Sequence, residues 1–144
     1  RCRSLPDQEW RCFRTGHLRR WLASLRRVLQ GPHIDVVRVL IENGAEINRS
    51  QINSNGTTPL AIACVKGHID VARLLLENNA DVNQTDGNGC SPLFGACQEG
   101  RAAVVRLLLE KGAVNKANDD GASPLLIARQ RNHVDVARLL LEKG

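Results

Sequence analysis

Methionine and tyrosine are absent from these 144 residues, and aromatic side chains make up only 3%. Trp10, Phe13, Trp21 and Phe94 are too few to supply the large anchors on which a sandwich or doubly wound core leans. With no methionine, Arg1 is not a natural start, and the natural chain is expected to be processed or longer than this one. Long apolar runs are missing as well. None approaches the roughly 18 residues of a membrane span, and the stretch from Val104 to Leu109 is interrupted by Arg106. No signal-peptide pattern opens the chain. The cysteines Cys2, Cys12, Cys64, Cys90 and Cys97 are odd in number and lack the spacing of a disulfide framework. Free thiols in a reducing compartment are expected, which places the chain in the cytoplasm, with the nucleus also open to it.

The net charge of +5 is unevenly spread. Residues 1–30 carry eight arginines against Asp7 and Glu9, whereas residues 31–144 hold 12 basic and 13 acidic side chains. A nearly neutral body lacks the clustered Lys and Arg of a nucleic-acid-binding stripe. The arginine-rich, aromatic-containing N-terminal stretch is the part suited to RNA or lipid headgroups.

What the chain has in abundance is Leu, Val, Ile and Ala, arranged in an internal repeat. Residues 56–83 read GTTPLAIACVKGHIDVARLLLENNADVN, residues 89–115 read GCSPLFGACQEGRAAVVRLLLEKGAVN, and residues 121–144 read GASPLLIARQRNHVDVARLLLEKG. Pro59, Pro92 and Pro124 mark steps of 33 and then 32 residues. An earlier copy shows in HIDVVRVLIENGAEIN at 33–48, with a first helix expected over 24–30, where Leu25 stands for Leu60.

Each copy reads as two short helices. Thr58, Ser91 and Ser123 are N-caps, with proline at the first helical position, where its missing N–H costs nothing. The first helix ends at Gly67, Gly100 or Asn132, residues that accept the left-handed conformation. A leucine-rich second helix then stops near Gly44, Asn79, Gly112 and Gly144. That helix is apolar over a wide arc, as expected of one sandwiched between neighbouring copies. Burying one leucine contributes roughly 1.5–3 kcal/mol, and no copy can bury its faces alone. The polar remainder recurs too. Asp35, Arg38 and Glu42 are repeated as Asp70, Arg73 and Glu77 and as Asp135, Arg138 and Glu142, which reads as a solvated face.

These motifs, G-x-T/S-P-L, then G-H-x-D-V-x-x-L-L-L, then G-A-D-V-N, resemble the ankyrin repeat over residues 23–144. The resemblance implies an all-α solenoid of antiparallel helix pairs with projecting turn or β-hairpin fingers. It divides the chain into a basic arm or capping helix (1–22), a degenerate first repeat (23–52), two full repeats (53–85 and 86–117) and an incomplete fourth (118–144). There are departures. The family's histidine after P-L is Ala61, Phe94 and Leu126 here, Arg101 replaces His68, and Ala103 replaces Asp70. The link from Asn48 to Pro59 is two residues longer than its counterparts, and the third copy lacks a residue between Ala113 and Val114.

Catalytic and metal chemistry find little support. His33, His68 and His133 recur at one repeat position, each in a different copy, and so do not converge on a point. Cys2, Cys12 and His17 match no zinc spacing. Cys64 and Cys97 read as small buried packers where the family has alanine. Cys90 is the thiol expected to be most exposed, with nothing nearby to activate it. Gly87-Asn88-Gly89 precedes a helix but lacks the lysine of a phosphate loop. No nucleophile, base and orienter come together, so no enzyme activity, cofactor or metal is expected. Asn48, Asn83 and Asn115 close their copies and read as turn asparagines bonding their own backbone. Asn48, Asn55 and Asn83 also begin formal glycosylation triplets, which matter only in a secreted chain. The resemblance adds possible hydroxylation of Asn83, since ankyrin proteins are substrates of an asparaginyl hydroxylase.

The resemblance further implies a monomeric module that binds a partner protein through the finger tips and the inner face of the first helices. The positions left free by the repeat are Ser54, Asn55, Thr57, Val65 and Lys66 in the second copy. In the third they are Gly87, Asn88, Cys90, Phe94, Gln98 and Glu99, and in the fourth Asp119, Asp120, Ala122, Gln130 and Arg131. Phe94 and Arg131 are the expected anchors, because interface hot spots favour aromatics and arginine. Two other functions are set beside this one: a regulatory or targeting segment of a larger enzyme or channel, and RNA or lipid binding through the basic arm. The leucines 139–141 are expected to leave apolar surface uncovered unless further repeats follow.

Overall fold

The computed structural model describes residues 31, 33–48, 50 and 55–143. Among them are seven helices and no strand: α1 (Ile34–Glu42), α2 (Pro59–Lys66), α3 (Ile69–Glu77), α4 (Pro92–Gln98), α5 (Ala102–Glu110), α6 (Pro124–Gln130) and α7 (Val134–Lys143). The expected first helix at 24–30 and the arm or cap at 1–22 lie outside the described residues.

Local chemistry sets the helix ends as the sequence suggests. The hydroxyls of Thr58, Ser91 and Ser123 accept hydrogen bonds from the backbone N–H groups of Ala61, Phe94 and Leu126 at 3.1–3.2 Å. Each satisfies one of the donors a helix start leaves unpaired. The second helices end in Schellman turns. Ala45, Ala80 and Ala113 donate to the carbonyls of Leu40, Leu75 and Leu108, and the preceding Gly44, Asn79 and Gly112 have positive φ.

First helices pack on first helices (α2 on α4 on α6), second helices on second helices (α1 on α3 on α5 on α7), and each pair packs within its copy. Ala63, Ala96 and Ala128, all fully buried, let the first helices approach closely, while the bulkier Leu75, Leu108 and Leu140 hold the second helices further apart. One continuous aliphatic core runs from Val37 to Leu140. The expected all-α solenoid is the architecture observed. Its described fingers are tight turns rather than paired strands, closed by Asp86 N–H to Cys90 O (3.0 Å) and Asn118 N–H to Ala122 O (2.9 Å).

Candidate functional site

The positions left over for a partner become clear once the bonds joining one copy to the next are removed from consideration. Three kinds of bond do this. At the finger tips, Gly87 N–H donates to Asn55 O at 2.6 Å and Asp119 N–H to Asn88 O at 3.1 Å. A β-carbon on Gly87 would stand 2.7 Å from Asn55 Oδ1 and 3.2 Å from its carbonyl oxygen, so the two fingers meet closely here.

The second kind uses the closing asparagines. Asn48 Nδ2 donates to Asn79 O (3.0 Å) and its Oδ1 accepts from Asp81 N–H (2.7 Å). Asn83 repeats this with Gly112 O (3.3 Å) and Val114 N–H (2.8 Å). The expectation that these residues bond their own backbone is corrected: each carboxamide reaches forward and clamps the following copy. The same bonds place Val114 where Asp81 stands, so the missing residue of the third copy falls after Val114 rather than before it. Asp81 also holds the N–H of Asn83 through its carboxylate at 2.9 Å, a turn that Val114 cannot make. Val114 is left 56% exposed. Asn115 makes no equivalent clamp among the described residues. Asn83, the expected hydroxylation position, is exposed, with both ends of its amide engaged.

The third kind joins helix ends. His133 Nε2 lies 3.0 Å from Gln98 O, and because a carbonyl only accepts, the ring carries its proton on Nε2. Arg101 Nε donates to Val65 O at 3.2 Å. The replacement of histidine by Arg101 thus preserves the bond. Both side chains cross a glycine of the preceding copy. A β-carbon at Gly67 would meet Arg101 Cδ at 2.9 Å, and one at Gly100 would meet His133 Nδ1 at 2.5 Å. His68 Nε2 is buried and has no partner among the described residues. In this register the matching carbonyl belongs to residue 30, outside them.

Two lines of candidate positions run along the stack, the first of which shares its backbone with the bonds between finger tips. Asn55, Gly87, Asn88, Asp119 and Asp120 are exposed on the fingers, with Thr57, Cys90 and Ala122 half-buried behind them. Lys66, Glu99 and Arg131 recur at one exposed position of the first helices, with Val65, Gln98 and Gln130 beside them. The charge along this second line alternates in sign. Ser54 lies outside the described residues. Phe94 is corrected as an anchor. It is 6% exposed, and Ala61 at the same repeat position is 9% exposed. At the same repeat position Leu126 is 37% exposed, an apolar contact that scanning for aromatics misses.

The thiols are quiet. Cys64 and Cys97 are free and fully buried. Burial pushes Cys64 far above the ordinary thiol range and Cys97 up to about 12. Cys90 is also raised, first by burial and then by the carboxylates of Asp86, Asp120 and Asp119, against a lowering contact from Asn118. None is poised as a nucleophile. The described residues contain no cluster of three metal-ligating side chains and no helix long and apolar enough to cross a membrane.

No curated protein matches the chain. A family model described as ankyrin repeats matches residues 23–86 and 81–144 in three copies. Such repeats are generally protein-interaction modules, typically without catalytic activity. With capped helix pairs, left-handed turns and copy-to-copy clamps all recurring across the same residues, the chain belongs to the ankyrin repeat family.

Proposed function

We propose that this protein is a non-catalytic binding module that holds a partner protein against its finger tips and the inner face of its first helices. The observation that carries this reading is the division of labour within each copy. Gly67, Asn83, Gly100, Arg101 and His133 are committed to joining copies. Lys66, Glu99, Gln130 and Arg131 are exposed and form no bond between copies among the described residues. A line of exposed side chains on a rigid stack is preorganised, which lowers the entropic cost of binding. Arg131 and Leu126 are the anchors this surface favours, the first for its planar guanidinium and the second for its exposed aliphatic body. The free, buried thiols support a reducing, cytoplasmic setting.

The test is comparative capture from a reducing lysate, followed by mass spectrometry. One full-length bait is unaltered, a second carries Lys66→Glu, Glu99→Lys and Arg131→Glu together, and a third carries Arg38→Glu on the outer face. Partners retained by the first and third and lost from the second are expected. Partners that ignore the triple change would refute the inner face as the binding surface.

A further inference from the structure

The fingers carry a chemistry that partner binding leaves unused. At one repeat position each described turn has an Asx-Gly pair: Asn55-Gly56, Asn88-Gly89 and Asp120-Gly121. An asparagine followed by glycine is open to spontaneous deamidation, because no side chain shields the following backbone nitrogen from the carboxamide carbon. The Asn55 turn adjoins residues 51–54, outside the described ones, so the argument rests on Asn88.

Asn88 is exposed, and its carboxamide makes no hydrogen bond among the described residues. Nearby asparagines differ. Both ends of the Asn83 amide are engaged, Asn78 Nδ2 donates to Leu74 O at 2.8 Å, and Asn118 Oδ1 accepts from Ala122 N–H at 2.8 Å. Asn79 is followed by Ala80 rather than glycine. The attacking nitrogen, however, is held. Gly89 N–H donates to Asp86 O at 3.1 Å, while the Asp86 carboxylate accepts from Asn88 N–H and Cys90 N–H, both at 2.9 Å. Asn88 O in turn accepts from Asp119 N–H, the bond that joins this finger to the next, and the Asp119 carboxylate lies against Gly89.

We propose that Asn88 is a site of slow spontaneous deamidation, gated by the turn that Asp86 holds closed, and that its product loosens the joint between the third and fourth fingers. Local opening releases Gly89 N–H from Asp86 O. The nitrogen gives up its proton and attacks the side-chain carbonyl carbon of Asn88. A cyclic imide closes as the carboxamide nitrogen leaves as ammonia. Water then opens the imide. Cleavage on the side-chain carbonyl gives aspartate, and cleavage on the backbone carbonyl gives isoaspartate, whose main chain is longer by one carbon. One water enters for one ammonia lost, and no oxidant or reductant is needed. Either product sets a new carboxylate close to Asp86 and Asp119, where like charges repel. The finger line of the proposed binding surface thereby gains a negative charge.

The experiment ages the folded full chain for weeks in mildly alkaline buffer. The tryptic peptide 74–101 is then read by mass spectrometry with electron-transfer fragmentation, which separates aspartate from isoaspartate. Conversion is expected at Asn88, ahead of Asn78, Asn79 and Asn83 in the same peptide. Asp86→Ala removes two of the three bonds that hold the turn and should speed conversion about tenfold. Amide hydrogen exchange on the unaltered chain tests the gate without a variant: Gly89 should exchange more slowly than in the urea-unfolded chain. In the aged fraction the Asp119 amide should exchange faster than in fresh protein. The proposal is overturned if Asn88 stays intact through the incubation or converts after the other three asparagines. It is equally overturned if a folded Asp86→Ala chain converts no faster, if Gly89 exchanges as freely as in urea, or if ageing leaves Asp119 exchange unchanged.

Discussion

The inner copies, with Pro59 and Pro92 opening their first helices, and the last, opened by Pro124, use nearly the same residues in different surroundings. Leu76, Leu109 and Leu141 share one repeat position. The first two are half-buried and pack on the core, whereas Leu141 is 72% exposed. Burial in such a stack is conferred by the neighbouring copy rather than by the residue itself. Two other positions differ in residue type between these copies. Cys64 and Cys97 are fully buried, and their counterpart is the exposed Arg129. Gly67 and Gly100 are crossed by side chains of the following copy, and their counterpart is Asn132, left-handed at φ 60° and exposed. Arg129 and Asn132 are therefore larger than their counterparts at the two positions where, in the inner copies, a following copy packs closely.

Leucine truncation gives the largest effect that tests this contrast. Leu108→Ala removes a fully buried side chain clamped between copies and should cost about 2–5 kcal/mol. Leu141→Ala should cost less than about 0.5 kcal/mol, as expected of an exposed position. Urea unfolding followed by circular dichroism measures both. Equal losses would mean that Leu141 is covered in solution, and the contrast between copies would fail.

A glycine pair is next in size. Gly100 and Gly112 are both left-handed, with φ of 68° and 86°. Alanine at either pays the left-handed penalty of about 1–2 kcal/mol. At Gly112 nothing lies within 4 Å of the added carbon, whereas at Gly100 it would meet the His133 ring. Gly100→Ala should therefore cost about 1 kcal/mol more than Gly112→Ala, the worth of one displaced hydrogen bond. His133→Ala should erase most of that difference in a double-mutant cycle. A difference that survives it would place the strain somewhere other than the copy-to-copy bond.

What could be read from the sequence divides along the same line. Caps, left-handed turns and the wide apolar arc of the second helices depend on residues within one copy, and Thr58, Ser91, Gly44 and Asn79 announced them. Features that depend on which backbone lies opposite were hidden. Arg101 looked like a departure, yet it makes the bond of the histidine it replaces. Asn48 and Asn83 looked like local turn residues, yet they clamp forward. Phe94 looked like an exposed anchor, yet it is buried.

The smallest effect concerns the two buried thiols, which exist only where copies cover one another. Burial raises Cys64 and Cys97 above the ordinary thiol value of 9.0, the latter to about 12. The folded state therefore holds its thiol protons at a pH where the unfolded chain has released them. The unfolded state binds fewer protons, so stability falls as pH rises. The contribution is fully present below pH 9 and for Cys97 is lost progressively up to about pH 12. The slope should be on the order of 1 kcal/mol per pH unit for each thiol. With no tyrosine in the chain, the phenol that usually titrates in this range contributes nothing. Alanine, the residue found at these positions elsewhere in the family, removes the titration while keeping the packing small. The urea midpoint measured between pH 8 and pH 10.5 should decline more steeply for the unaltered chain than for Cys64→Ala/Cys97→Ala. Identical slopes would mean that water reaches both thiols in the folded state, and that the first helices of the inner copies are packed no more tightly than those of the last.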